Sequence, residues 1–275
     1  MTIGYQGEPL SYSHRVAGQL FADQPSVGFA SFQATFDALA AGTVQRLVMP
    51  IENSTTGSIL PVLDRLLSSP VHITAERREE IQHALLAHPG ATLDTIRTVH
   101  SHPQALSQAE GAIARYGWDA QPEHDTAGAV RLVAERGDPA EACLAHPDSA
   151  EAHGLVVLLR NVVDREHNTT RFVVLEPGRT FTVAADADKT TLAFETAHTP
   201  GSLALALVEL GLRGANLSRI ESRPTETAWR YRMFVDVNHQ PGQAGFDAVF
   251  TPLPLTMSAA RFLGTYRAAS EDTPS

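Results

Sequence analysis

Arg46-Leu47-Val48-Met49-Pro50-Ile51, then Glu52-Asn53-Ser54-Thr55-Thr56-Gly57-Ser58, then apolar Ile59, Leu60, Leu63, Leu66 and Leu67: this is the stretch whose reading decides the fold. Its first part is an apolar run of strand length, and its last part carries apolar residues at helical spacing. The polar middle is therefore a strand-to-helix loop. The same order stands upstream. Residues 2–5 are β-prone, Gly7, Glu8 and Pro9 break the run, and Tyr12 to Phe21 returns to helical spacing. Val27-Gly28-Phe29-Ala30 repeats the strand signal, and Ser31 stands as an N-cap before Phe32, Phe36 and Leu39. Repeated β-loop-α predicts an α/β layer with a mainly parallel sheet, with ligand sites where loops leave the carboxyl ends of strands.

A second, similar block begins near residue 72. His72 to Ala87 reads as extended segments, Ile96-Arg97-Thr98-Val99-His100 as a strand and Gln104 to Tyr116 as a helix. Asp125 caps a helix running to about Arg136, and strands around Val156 and Phe172 close the unit. This gives two lobes, residues 1–75 with 160–180 and residues 76–159, with a cleft between them. A polar, small-residue segment over 176–189 reads as a linker, and Lys189 falls within it. After it, strands over Thr190–Thr196, Asn216–Ser222 and Tyr231–Val237, a helix opened by Pro200-Gly201-Ser202 and a final strand over Arg261–Tyr266 predict an α+β unit of ferredoxin type.

The 275 residues, 43% hydrophobic and 19% charged, are enough for cores without disulfide or metal staples. A formal charge of −10, with Lys189 the sole lysine among 21 basic residues, leaves no basic face for nucleic acid. No apolar run approaches the roughly 20 residues of a membrane span. Cys143 is the only cysteine, and the N-terminal residues lack both a basic and an apolar signal region, so the expected location is the cytoplasm.

Four polar clusters lie at predicted element junctions. Asn53, Ser54, Thr55 and Thr56 offer an amide and hydroxyls at a predicted helix start, where free amides favour an anion; an ordinary capped turn is the plainer alternative. His100-Ser101-His102-Pro103-Gln104 with Gln108 repeats that layout, and His100 and His102 share a strand face without a third metal ligand at a persuasive spacing. Asp125-Thr126-Ala127-Gly128-Ala129 supplies another helix start. In Asn168-Thr169-Thr170-Arg171-Phe172, an arginine at a strand entrance is the candidate carboxylate clamp.

Together these stretches resemble the prephenate dehydratase family. Pro50–Ser58, Ser101–Gln108, Asp125–Ala129 and Asn168–Phe172 match its blocks in order, and Tyr5-Gln6-Gly7 through Tyr12-Ser13 matches its opening loop, with Leu10 where a glycine is usual. Gly201-Ser202-Leu203-Ala204 and Asn216-Leu217 through Glu221-Ser222-Arg223-Pro224 resemble the phenylalanine-site motifs of the ACT domain that follows the catalytic part in that family. Ser202 and Ala204 there replace the more usual Ala and Val.

The resemblance implies a two-lobed, periplasmic-binding-protein-like catalytic domain over 1–180 and an ACT domain over 188–270, in a monofunctional homodimer or homotetramer. It implies decarboxylation and dehydration of prephenate to phenylpyruvate without a cofactor or metal, with feedback by L-phenylalanine. Thr170 is assigned to assist the departing hydroxyl, Arg171 to clamp a carboxylate and Phe172 to pack beneath the ring. Asn53, Ser54, Thr55, Ser101, His102, Gln104, Gln108 and Thr126 are assigned to line the cleft. The ligand site of the ACT unit is assigned to residues 201–204 with Asn216, Leu217, Glu221, Ser222, Arg223 and Pro224. A dianionic substrate in an acidic protein further predicts a locally positive pocket built from helix N-termini at 54–58, 101–104 and 125–127 and from Arg171. Arogenate as substrate, or a non-catalytic carboxylate-binding protein of the same fold, are the alternatives.

Overall fold

The computed structural model describes residues 1–164 and 168–270. The chain opens with β1 (Ile3–Gln6), α1 (Tyr12–Leu20), β2 (Ser26–Phe29), α2 (Phe32–Ala40), β3 (Arg46–Asn53), the short β4 (Gly57–Ser58), α3 (Leu60–Ser68) and β5 (Val71–Glu80). Serines cap the first two helices: Ser11 Oγ accepts from the His14 amide and Ser31 Oγ from that of Ala34, satisfying donors that the first turn leaves open. The chain then crosses into β6 (Ala84–Ala87), β7 (Thr98–Ser101), α4 (Pro103–Ser107), α5 (Glu110–Tyr116), β8 (Asp119–Pro122), α6 (Thr126–Arg136), β9 (Glu141–Ala145), α7 (Ser149–Ala152) and β10 (Val156–Leu159), and returns as β11 (Thr169–Pro177).

The lobes each hold one sheet, ordered β2-β1-β3-β11-β5 with β4 beside β3, and β10-β6-β9-β7-β8. Both are mixed, which corrects the expectation of mainly parallel sheets. β5 leaves the first lobe and β11 re-enters it, so the two connecting strands lie side by side and run antiparallel, and β11 also pairs antiparallel with β3. The helix predicted from Gln104 to Tyr116 is two helices. The chain turns at Gln108 and Ala109, and the carboxylate of Asp164 in the returning segment accepts from the Gly111 amide at 2.9 Å, anchoring α5 separately.

The third unit comprises β12 (Lys189–Glu195), α8 (Ser202–Leu212), β13 (Asn216–Pro224), β14 (Tyr231–Asn238), α9 (Gly242–Phe250) and β15 (Ser258–Tyr266). Its antiparallel sheet, ordered β13-β14-β12-β15, has the ferredoxin-like arrangement. One face packs under the helices through Leu192, Phe194, Leu210, Val235 and Phe250. The other face docks on the first lobe: Ala193, Phe234, Leu263 and Tyr266 share a core with Leu47, Met49, Leu63, Ile73 and Val173. β15 approaches β5 so closely that a Cβ on Gly264 would lie 2.2 Å from the Ile73 carbonyl oxygen. Lys189 is not a linker residue. It opens β12, is 3% exposed, and its Nζ donates at 3.0 Å to both carboxylate oxygens of Glu76.

Candidate active site

Side chains alternate across a strand, so Thr170, Phe172 and Val174 of β11 face one way and Arg171, Val173 and Leu175 the other. Phe172 and Val174 pack with α1, while Val173 and Leu175 belong to the core shared with the third unit. On β3 the alternation is broken once. Phe172 pairs with Pro50 and Arg171 with Glu52, so Ile51 is an extra, bulged residue. The bulge re-aims the two side chains after it: Asn53 turns into the interlobe cleft beside Thr170, and Glu52 turns to the third unit beside Arg171.

Asn53 organises the cleft floor. Its Oδ1 accepts from the amides of Thr55 and Thr56 at 2.9 and 3.2 Å and from the Thr55 hydroxyl at 2.6 Å. Backbone N–H groups only donate, which fixes the orientation of the amide. Nδ2 must then donate, and it does, to Asn168 Oδ1 at 2.8 Å and to Thr170 Oγ1 at 2.9 Å. With its oxygen accepting from Asn53, the Thr170 hydroxyl has its own proton to give, and none of the described protein groups takes it. The loop over 53–58 is accordingly a hairpin turn closed by β4 around the Asn53 side chain, not a helix N-terminus; α3 starts only at Leu60, without a side-chain cap.

The second lobe closes on this floor. Gln108 Nε2 donates to Thr55 Oγ1 and Gln104 Nε2 to Thr56 Oγ1, both at 3.0 Å, and Asn168 Nδ2 donates to Gln108 Oε1 at 2.8 Å. Arg15 pairs with Asp148 across the lobes at 2.5 Å, and Arg131 pairs with Glu8. They enclose a cavity of about 220 Å³ lined by Asn53, Thr170 and Phe172, by Ser11 and Tyr12 at the start of α1, and by His83, His102, Gln104, Gln108, Asp125 and Thr126. Among the described residues, no Arg or Lys lines it. Burial lowers both histidines below their usual range, His83 to about 4, so both are neutral near pH 7. His102 Nδ1 accepts from the Gln104 amide at 3.2 Å and thereby caps α4. The Tyr12 hydroxyl donates to the Gln82 carbonyl at 2.5 Å, and burial raises its pKa above the usual range.

Of the residues expected in the cleft, Asn53, His102, Gln104, Gln108, Thr126, Thr170 and Phe172 line the cavity, and Thr55 lies just behind it. Ser101 does not: it is fully buried and donates to the Leu144 carbonyl at 2.7 Å. Ser54 lies on the far side, where its Oγ accepts from the Thr169 amide at 3.0 Å. Arg171 departs most from expectation. As an odd-numbered neighbour of Thr170 it points away from the cleft into a polar cavity against the third unit, where it meets Glu52, Glu76 and Asp236 at 3.3, 3.0 and 2.6 Å. A carboxylate clamp in the cleft is thus ruled out by the pleat. Burial opposes the charge of Arg171, but Asp236 and the other acids hold it firmly protonated.

His100 and His102 are engaged separately. His100 Nδ1 lies 3.1 Å from Glu123 Oε1 while His102 serves as a cap, and among the described residues no cluster of three potential ligands occurs. Tyr12, His83 and Asn168 are cleft residues absent from the expected set. The Tyr12-Ser13 match in the opening loop pointed to the first, and Asn168 begins the block that supplied Thr170. Nothing in the sequence singled out His83.

In the third unit, Gly201, Ser202, Leu203 and Ala204 line one shallow cavity, and no β13 residue reaches it. Glu221 instead accepts from Ser58 Oγ at 2.7 Å and Arg223 holds Asp64 at 2.8 Å, so both side chains are engaged with the first lobe. Asn216, Ser222 and Pro224 lie along the sheet edge, and Leu217 is half-buried. One chain alone does not bring these two groups of residues together.

No helix among the described residues is long and apolar enough to cross a membrane. The family model for prephenate dehydratase matches residues 3–180. A bifunctional N-acyl-homoserine lactone acylase/prephenate dehydratase of Komagataeibacter europaeus is 32% identical over 97% of this chain and 96% of its own length. An arogenate dehydratase/prephenate dehydratase of Arabidopsis thaliana, named as chloroplastic, is 35% identical over 81% of this chain, which spans 58% of it. The crystal structure of a prephenate dehydratase from Arthrobacter aurescens in complex with L-Phe superposes with a TM-score of 0.88 at 27% identity, covering 100% of this chain and 92% of that one.

Proposed function

The chain belongs to the prephenate dehydratase family, and on that premise we propose that it converts prephenate to phenylpyruvate, water and CO2 in phenylalanine biosynthesis, with Thr170 as the group that assists the leaving oxygen. The observation that carries this is the hydrogen-bond polarity at the cleft floor: Asn53 donates to Thr170 Oγ1, so the hydroxyl proton is left for a substrate oxygen. In the reaction the C–C bond to the ring carboxylate breaks and CO2 departs. Its electron pair enters the ring, which becomes aromatic, and the C–O bond at the 4-position breaks. The leaving hydroxide needs a proton to become water. A threonine hydroxyl is a weak acid, so Thr170 acts as an oriented donor that stabilises the negative charge on that oxygen as the bond breaks. Phe172 supplies an apolar wall for the ring, and the neutral His83 and His102 keep the cavity weakly solvating, which favours loss of a carboxylate as neutral CO2.

Arogenate is the second reading, and Asp125 favours it. This carboxylate borders a cavity without Arg or Lys among its described lining residues and would suit the ammonium group that arogenate carries in place of the keto group. The deciding test is purified protein incubated with each substrate, with detection of phenylpyruvate from prephenate and phenylalanine from arogenate. Product from prephenate supports the first reading, product from arogenate alone the second. No product from either returns the chain to a carboxylate-binding protein.

For the third unit we propose an ACT regulatory role with L-phenylalanine as inhibitor, bound between paired chains. Support comes from the ferredoxin-like topology, from the L-Phe complex of the Arthrobacter protein and from the separation of residues 201–204 from β13 within one chain. The exposed apolar residues Leu205, Val208 and Leu212 on α8 and Ile220 on β13 favour a homodimer or homotetramer. The single buried Cys143 suits a reducing compartment such as the cytoplasm.

A further inference from the structure

Asp236 sits in β14 of the third unit, fully buried, on an element that contributes nothing to the cleft lining except through contacts behind it. Its Oδ2 accepts from Arg171 Nη2 at 2.6 Å, and its Oδ1 accepts from Thr191 Oγ1 at 2.6 Å. Burial alone would raise its pKa, but Arg171, Lys189 and Arg219 pull it below the usual carboxylate range. The Arg171 guanidinium also meets Glu76 and Glu52. A side chain held by carboxylates from three strands in two units has little rotational freedom.

The chain neighbours of Arg171 give this cluster a meaning beyond docking. Arg171 stands between Thr170 and Phe172, and its partner Glu52 immediately precedes Asn53. The reactive Thr170 and the Asn53 that orients it are thus each next in sequence to a member of the ion cluster on the reverse face of the same two strands. We propose that Asp236 is a positioning residue for the cleft: by fixing Arg171 it sets the backbone of β11 at Thr170, and so the direction in which the Thr170 hydroxyl donates. The third unit therefore holds the back of the catalytic strand, and a displacement of well under the length of a bond in that strand is enough to misalign a hydrogen bond to the leaving oxygen. The proposal rests on the dehydratase reading of Thr170.

Asp236→Asn in the full chain keeps the shape of the side chain and removes its charge. Steady-state turnover of prephenate is expected to show kcat reduced about tenfold or more with KM within about threefold, because alignment in the transition state is lost while the cleft still binds substrate. The control is Asp64→Asn, which cuts an ion pair between the units that lies outside the Arg171 cluster, Arg223 with Asp64, and is expected to keep kcat within about twofold of the parent. Asp236→Asn with kcat within twofold of the parent overturns the proposal. So does an equal loss in Asp64→Asn, which would mean that any loosening of the docking suffices. If Asp236→Asn does not fold, Glu52→Gln decides: a lower kcat at unchanged KM supports the proposal, and an unchanged kcat overturns it. The dehydratase reading fails separately, through absence of turnover in the parent chain or full turnover in Thr170→Ala.

Discussion

On the proposed reading Thr170 works with one proton, and the cost of removing it should fall on turnover. Thr170→Ala is expected to lower kcat by about 100-fold or more while KM moves by only a few fold, since general-acid assistance of this size is lost only in the transition state. Thr170→Ser, which keeps a donor, should recover part of that loss, and both are read by the appearance of phenylpyruvate. Leu10 offers a second residue-scale test. It occupies the left-handed region at φ 68, where the family usually has glycine, and its amide donates to His14 Nδ1 at 2.9 Å. The loop keeps the backbone that a glycine would adopt, and leucine bears the strain. Leu10→Gly is therefore expected to stabilise the chain by about 0.5–1 kcal/mol, the left-handed penalty less the extra unfolded-state entropy of glycine, measured by urea denaturation. Histidine burial sets an acid limit. His83 titrates near 4 when folded because burial opposes its charge, against 6.5 when unfolded. Between those values the unfolded chain binds a proton that the folded chain does not. This contribution to stability is present above pH 6.5 and is lost as the pH falls toward 4, by at most about 3 kcal/mol. His146, also lowered to about 4 by burial, acts in the same direction. Tm should fall from pH 7 to pH 5, and His83→Gln should make that fall shallower.

At the scale of elements, the close passage of β15 over β5 is a tightly constrained contact. A methyl group at Gly264 meets the Ile73 carbonyl oxygen, a backbone atom that cannot rotate away. Gly264→Ala should destabilise the chain by about 2–3 kcal/mol, read as a lower urea midpoint, with the first lobe and the third unit losing their shared core together. Strand-loop-helix order was legible because Ser31 and Asp125 are unambiguous caps and the runs at Arg46–Ile51 and Phe172–Leu175 are long and apolar. β8 was not, because all four of its residues are exposed and polar or small. The fate of Arg171 was half legible. Period-two alternation already sets it opposite Thr170 on any strand, and what could not be read was that a buried acidic partner, Asp236, would come from a unit 65 residues further along. The bulge at Ile51 was marked only by Pro50, a residue that strands tolerate mainly at such irregularities. Without that bulge, Asn53 would have been read onto the same face as Met49 and Ile51, away from the hydroxyl it orients.

At the scale of the molecule, the cleft is bridged from both sides and the third unit is fused to the back of the first lobe, so a ligand of the third unit needs only to shift that unit to reach the cleft. The surface that would carry such a shift is on α8. Leu205, Val208 and Leu212 are spaced three and four residues apart on one side of the helix and are 59%, 57% and 84% exposed, with Ile220 at 48% on the neighbouring edge strand β13. An apolar stripe beside an unpaired strand edge is costly to leave in water and prone to pairing. A second copy seated there would bring its own β13 toward residues 201–204 of the first, assembling between chains the set of residues that one chain keeps apart. Sedimentation velocity at micromolar concentration should accordingly give a dimer or tetramer. Val208→Glu combined with Leu212→Glu should give a monomer that still turns over prephenate, since neither residue touches the cleft or the ion cluster at Arg171. That monomer should lose inhibition by L-phenylalanine. A double variant that sediments as the parent does would remove α8 from the interface, and a monomer still inhibited by phenylalanine would move the inhibitor site into a single chain.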